Sequence, residues 1–514
     1  MAFRLLRHQY TALWARTTQR QARWGPWIAL ICVGGLLFLL GVSFTSSSPS
    51  HDDPYDTTKP YPFGGTPTGV PAIDQLYARQ SSSLEEAAAR YALRNNRPPP
   101  PGYHRWFSFA RNHSCLIDEY DQIARDFAPF YQLAREKPAF FKKMVNLGLA
   151  KVKRSGNGMK TGRFSGGKFS FTDDHGTLYH EPSEWPNTFS RFAYFMPEMN
   201  VIVNGRDEPR VLFNPRQPDM RTKALEPTDK DPFEISPHPT DKFLRDDMNC
   251  LLPNQPTGFT GLANDASAFM LYSSSTQFTT DLYPILSMTK ISPCWSDIMV
   301  PSQFYYSDSR WAGRFPHPND IPWADKTPKL YWRGMTSGGW IYDSNYHAFP
   351  RFRLISIARN HTDLLDVALS AFHESLCGEH CDMQKIKAEY GVTDKSAPRE
   401  ELYRYRYAFD VDGNSFSGRY LGLLRSGSLV FKSTVFTEYF NDWLRPYEHY
   451  IPVLPDLSDL TEKVEWAIKH DAEAHAIQMA GQRFAEIVLS DAQNDCYWAL
   501  VLLEWGRLVG GFKI

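Results

Sequence analysis

Two clusters of residues in this 514-residue sequence could do chemistry. The first is Asn204-Gly205-Arg206-Asp207-Glu208-Pro209-Arg210, directly behind the short apolar run Met199–Val203. An aspartate at the carboxyl end of a buried strand can take the proton from a hydroxyl that reaches it. Ion pairing among Arg206, Asp207, Glu208 and Arg210 fits the same spacing, and the sequence leaves both readings open. The second cluster is basic. Arg419 follows Ser415-Phe416-Ser417-Gly418 and opens an expected helix, Arg419–Arg425, which Ser415 or Ser417 caps and Gly427 ends. A cation in a first helical turn opposes the helix dipole, which suggests an anion nearby. Pairing of Arg419 with Asp410 or Asp412 is the bland alternative. Arg351 and Arg353 stand at the start of another helix, through Ala358, behind Arg333-Gly334 and the glycine-rich MTSGGW. A strand, a glycine-containing loop and a helix with basic residues at its start suit a phosphate group.

Other constellations are weaker. Cys377 and Cys381, in CGEHC, are spaced for a local disulfide; with His373 and His380 they also form a conceivable metal set. Trp332, Tyr331 and Tyr342 are candidates to stack on a sugar or base, with a core role as the alternative. Glu438 could meet ribose hydroxyls or simply face solvent. No Walker loop, GxGxxG, GxSxG or HExxH is present, which leaves a hydrolase without a nucleophile arrangement.

The elements that must hold these residues alternate strand and helix. Lys329–Gly334, Tyr405–Val411, Ser428–Phe431 and His449–Val453 read as buried parallel strands. Lys168–Phe171 and Thr177–Tyr179 suggest a hairpin around Asp173–Gly176, with a helix near Asn187–Phe195. Cys294–Tyr306 reads as strand and turn. Residues 212–282 give no clear pattern. Trp106–Leu149 is mostly helical, with Asp118 and Glu119 read as solvated helix surface, and Arg97–Gly102 is an extended proline connector. The tail Asp456–Leu508 is helical, with Asp459 and Glu462 spaced as a capping box. Its last part, Cys496–Leu508, is apolar enough to pack on the body.

Net charge is −1, which gives no support to a nucleic-acid partner. Trp24–Phe44 is uncharged and long enough to cross a bilayer. Five arginines and no acidic residue precede it, so the positive-inside rule puts the N-terminus in the cytosol and the rest in the lumen. Residues rich in Ser, Thr, Pro and Gly follow as a flexible stem. Six cysteines past this segment favour disulfides in an oxidising compartment, and Asn112 and Asn360 head glycan-acceptor tripeptides.

Several long motifs, in order, carry a family resemblance: MPEMNVIVNGRDEPRV, SDIMVPSQFYY, LYWRGMTSGG, FDVDGNSFSGRYLGLLRSGSLVFKST and WLRPYEHYIPVLPDLSDL, behind a RPPPPGYHRWFSFA entrance. Over roughly residues 90–510 the chain resembles glycosyltransferase family 90, which includes protein O-glucosyltransferases and fungal capsule-associated proteins. The resemblance implies an α/β fold that is GT-B-like, with two Rossmann-type domains facing across a cleft. The expected order is a basic cytosolic tail (1–23), the anchor (24–44), the stem (45–85), a helical entrance (86–160), an acceptor-side domain (161–320), a nucleotide-sugar domain (321–470) and closing helices (471–514). It further implies inverting transfer of xylose or glucose from a UDP-sugar to a glycan or glycoprotein hydroxyl, with no cofactor and no metal, in the Golgi or ER. Asp207 falls on the family's base, and Arg419 and Arg351 on its nucleotide-contacting arginines, with Arg353 a rival to Arg351. Arg333, Gly334, Ser415, Ser417 and Glu438 complete the expected donor site. The pair Asp410 and Asp412 forms a DxD, which makes a metal-dependent transferase the competing mechanism. A non-catalytic glycan-binding or assembly subunit with the same fold is the competing function. The cysteine that animal members carry ahead of the YxYxF strand is missing, which leaves the partner of Cys496 open.

Overall fold

The computed structural model describes residues 72–152, 158–172, 184–216, 219, 278–292, 295–307, 321–339, 341, 343–378, 380–395 and 397–510. The membrane segment read at 24–44, most of the stem, Tyr342, Cys250 and Cys294 lie outside them. Among the described residues no helix is long and apolar enough to cross a membrane.

Ten strands form two five-stranded sheets. The first contains β1 (Met159–Ser165), β2 (Lys168–Phe171), β3 (Met199–Asn204), β4 (Leu286–Ser287) and β5 (Ile298–Met299), in the order β2-β1-β3-β4-β5. Only β3, β4 and β5 run parallel; β1 is antiparallel to both β2 and β3. This half is therefore a mixed sheet and departs from the Rossmann pattern expected for it. The local cause is the turn Gly166-Gly167, with φ of 56° and 73°, a backbone shape that joins antiparallel neighbours in two residues. Through that turn Lys168–Phe171 pairs with the strand before it, and the hairpin expected with Thr177–Tyr179 falls on residues 173–183, outside the described part.

The second sheet contains β6 (Thr327–Met335), β7 (Leu365–Ala371), β8 (Tyr405–Val411), β9 (Leu429–Ser433) and β10 (Ile451–Pro452). It is parallel throughout, in the order β10-β9-β8-β6-β7. From β6 the chain moves outward to β7 through the helix Pro350–Ala358, then returns to the other side of β6 and continues through β8, β9 and β10. The reversal makes a topological switch point at the carboxyl ends of β6 and β8, where open α/β sheets leave a crevice for ligands.

Helices Asp121–Glu136 and Pro138–Val152 pack beside the first sheet, and Tyr103–Asn112 packs on the last helix. The last helix, Asp491–Val509, is buried from Gln493 to Leu508 and ties the chain's ends together. Its Cys496 carbonyl accepts from Trp106 Nε1 at 2.9 Å, while Trp505 Nε1 donates to Asn200 on β3 at 2.8 Å. Cys496 forms a disulfide with Cys115, which answers the pairing left open in the sequence.

Three local expectations are corrected. Residues 72–78, assigned to the stem, form a helix that buries Ile73 and Leu76, with the Ala72 N–H donating to Glu448. Asp118 is in a loop and largely buried, accepting from the Ser81 N–H and hydroxyl, and Glu119 pairs with Arg79. Asp459 makes no capping bond; it accepts from the Leu454 N–H at 3.0 Å and pairs with Lys463.

Candidate active site at the carboxyl ends of β6 and β8

Two guanidinium groups occupy the switch point. Arg351 is set there by the helix Pro350–Ala358, which starts with proline at its first position, where the missing N–H is no loss. Its side chain is buried and knits two loops together. Nε donates to the Asp412 carbonyl at 3.0 Å, and Nη1 donates to the Met335 carbonyl at 2.9 Å and to the Ser337 hydroxyl. The approach needs glycine at 413, where a Cβ would stand 2.8 Å from Arg351 Nη2. The loops are joined again by the Gly338 N–H, which donates to Asn414 at 3.2 Å.

Arg419 precedes the helix Tyr420–Arg425 and sends Nη1 to the Arg333 carbonyl at 2.7 Å; its Nη2 is buried with no hydrogen-bond partner among the described residues. Both cations flank Trp332, with Cζ 5.5 Å (Arg351) and 5.7 Å (Arg419) from its ring centre. Neither has a salt-bridge partner among the described residues. Burial, reinforced by Arg419, pulls the Arg351 pKa down to about 9, and burial also lowers that of Arg419. Asp410 acts against the fall at both arginines and Asp412 at Arg351, but neither carboxylate forms an ion pair with them, and two buried cations held near each other in this way form a site suited to an anion. The Ser415 and Ser417 hydroxyls are also buried and without partners, and neither caps the short helix.

The neighbouring carboxylates are engaged elsewhere. Asp410 pairs with the buried Lys432 at 2.7 Å, and Asp412 accepts from the Val435 N–H at 2.9 Å. Glu438 is 1% exposed and accepts from the Tyr305 hydroxyl; burial pushes its pKa up to about 8. It braces the base of the site rather than facing solvent. Among the described residues no cluster of three or more His, Cys, Asp and Glu could hold a metal ion, and Cys377–Cys381 form a disulfide.

The Asp207 loop leaves the end of β3 under close control. Asn204 Oδ1 accepts from the Arg206 N–H at 3.1 Å and from Arg210 Nε at 3.0 Å, while its Nδ2 donates to the Glu208 carbonyl at 2.7 Å. Buried Asp297 accepts from the Arg210 and Val211 N–H groups at 2.8 and 2.9 Å. Burial, with Asp207 adding to it, raises the Glu208 pKa to about 7. Asp207 acts across the molecule on His373, just beyond β7. Burial and Arg351 hold that imidazole below its ordinary pKa, and Asp207 opposes them. Asp207, His373 and Arg351 therefore share one electrostatic neighbourhood spanning both sheets.

The other expected residues sort clearly. Arg353 turns away, donating to the Asp456 carbonyl at 2.7 Å. The Arg333 side chain pairs with Asp366 at 2.6 Å, leaving only its carbonyl to Arg419. Gly334 makes room for Trp332, whose ring would lie 2.5 Å from a Cβ there. Trp332 is 2% exposed, a platform under the cations rather than an open stacking face. Two residues went unassigned to this site in the sequence. Ser337 carries no distinctive signal. His373 does: a polar residue at the carboxyl end of the apolar run LLDVALSAF.

This arrangement agrees with what the chain is similar to. Residues 316–511 match the profile described as glycosyl transferase family 90. Protein O-glucosyltransferase 2 of Danio rerio is 34% identical over 187 residues, 36% of this chain and 34% of that protein. Human protein O-glucosyltransferase 3 is 30% identical over 186 residues, 36% and 33% of the two chains. Human protein O-glucosyltransferase 1 is 28% identical over 193 residues, 37% and 44%. The matches thus span about a third to under half of these relatives' own length. Arg351, Arg419 and His373 fall inside the matched stretch; Asp207 falls outside it.

Proposed function

We propose that this protein is an inverting glycosyltransferase that moves glucose or xylose from a UDP-sugar to a hydroxyl of a glycan or glycoprotein. The observation that carries this reading is the pair Arg351 and Arg419, buried at the switch point with no salt bridge among the described residues, on the loops that also hold the unpartnered Ser415 and Ser417 hydroxyls. In the reaction the acceptor oxygen bonds to the anomeric carbon as Asp207 takes its proton. The carbon–oxygen bond to the β-phosphate breaks on the opposite face, its electron pair leaving with UDP, where the two guanidinium groups meet the growing charge. The two-domain, cleft-bearing GT-B arrangement belongs to this proposal. So does metal independence, supported by the pairing of Asp410 with Lys432, which turns the DxD inward. A lumenal address on a single-pass anchor, in the Golgi or ER, is supported by the two disulfides and by exposed Asn112 and Asn360.

The test is UDP release by the full chain, solubilised in detergent, from UDP-glucose and UDP-xylose with hydroxyl acceptors and EDTA present. Asp207→Asn is expected to lower turnover by about 10²-fold or more while leaving UDP binding intact. Turnover surviving that substitution removes Asp207 as the base. Tight UDP binding with no turnover of any donor favours a non-catalytic subunit, and activity abolished by EDTA and restored by manganese favours the DxD.

A further inference from the structure

The loop behind β7 contains a group that the proposed reaction has not yet used. His373 lies at the carboxyl end of β7, the strand beside β6, and its N–H donates to Thr336 Oγ1 at 2.8 Å. Thr336 adjoins Ser337, whose hydroxyl accepts from Arg351. The His373 loop is thus tied to the loop that Arg351 anchors.

The loop is also braced from behind. The His373 carbonyl accepts from the Leu376 N–H at 3.0 Å. The Leu376 carbonyl accepts from the Ile341 N–H at 2.8 Å, the Gly378 N–H donates to the Ile341 carbonyl at 3.0 Å, and the Cys377–Cys381 disulfide closes the turn. Ser375 Oγ lies 3.0 Å from His373 Nδ1. Either atom can donate in that contact; we take the serine hydroxyl as the donor, which puts the proton of the neutral ring on Nε2. That nitrogen makes no hydrogen bond among the described residues. The ring is half-exposed, with Arg351 and Asp207 both within electrostatic reach.

We propose that His373 donates from Nε2 to the β-phosphate of the bound nucleoside diphosphate and steadies the oxygen that leaves the sugar. The inference rests on the donor-site reading above. As the anomeric carbon–oxygen bond breaks, its electron pair stays on that β-phosphate oxygen. The Nε2 proton is shared with it as a hydrogen bond and is not transferred. A neutral imidazole suits this place because it supplies a donor without adding a third cation to Arg351 and Arg419.

UDP and UMP, which differ by the β-phosphate, test the idea by titration calorimetry on the full chain. His373→Ala is expected to weaken UDP binding by about tenfold or more and to leave UMP within about twofold. His373→Gln, whose amide nitrogen reaches the Nε2 position, should recover much of the loss, whereas His373→Asn should not. UDP and UMP weakened equally, or Gln and Asn behaving alike, would show that His373 only supports the fold and would overturn the proposal. UDP binding unchanged in His373→Ala would overturn it too. If the unsubstituted chain binds neither nucleotide, the donor-site reading falls, and this inference with it; if it binds UDP normally and only the His373 pattern fails, the donor site stands.

Discussion

Arg419→Met separates an arginine kept for a ligand from one kept for the fold. With their Cζ atoms 5.5 and 5.7 Å from one ring centre, Arg351 and Arg419 are at most about 11 Å apart. At an effective dielectric near 20, two like charges at that distance repel by at least about 1.5 kcal/mol. Methionine removes that repulsion, but it also loses the attraction of Asp410, which offsets part of that gain, and one hydrogen bond, to the Arg333 carbonyl, worth about 1 kcal/mol. The free protein should therefore be about as stable as the parent, or slightly more so. The bound state is different. A cation about 4 Å from a phosphate is worth about 4 kcal/mol at the same dielectric, and a charge-assisted hydrogen bond about 1.5–3 kcal/mol net. A loss of about 2–4 kcal/mol corresponds to roughly 30- to 1,000-fold weaker UDP binding. Calorimetry gives the affinity and thermal unfolding without nucleotide gives the stability. A variant that binds UDP within about threefold of the parent yet melts several degrees lower would show a structural arginine, and the argument from the buried arginine pair would fail.

Two further substitutions probe the same frame. Gly413→Ala places a methyl group 2.8 Å from Arg351 Nη2, and that guanidinium cannot easily yield because it is tied to two carbonyls and a hydroxyl. UDP affinity should drop by about tenfold or more, and an unchanged titration would show that Arg351 does not face the ligand. His449 is buried and accepts from the Arg445 N–H through Nδ1, and burial, with Arg445 adding to it, lowers its pKa to about 3. Below about pH 6.5 the unfolded chain protonates this histidine while the folded chain does not, so stability is lost as pH falls toward 3, by about 1.4 kcal/mol per unit. His449→Gln should shrink the loss between pH 7 and pH 5 by about 2 kcal/mol in denaturant unfolding; an undiminished loss would place the titration elsewhere.

Periodicity in the sequence located most strands and helices that carry the site. The runs around Met199–Asn204, Thr327–Met335 and Tyr405–Val411 are near-continuous apolar stretches ending in polar residues, and such stretches form buried strands whose carboxyl ends carry chemistry. Long motifs around Arg351 and Arg419 made the resemblance to glycosyltransferase family 90 legible as well. The two-residue glycine turn at 166–167 went unread, so the pairing of Lys168–Phe171 with Met159–Ser165 was missed.

Residue types and their order along the chain fixed the elements, the approximate ligand chemistry and the candidate side chains, because those depend on local pattern. Which arginine reaches the switch point depended on the third dimension. Arg351 and Arg353 are two residues apart on one helix, and the helical repeat sends one to the switch point and the other to Asp456. Partners were decided in the same way: Asp410 was claimed by Lys432, Cys496 by Cys115, and His373 was brought into the reach of Asp207 from a different sheet. Contacts between residues tens to hundreds of positions apart follow from how the two sheets and the final helix pack, and no local spacing records that.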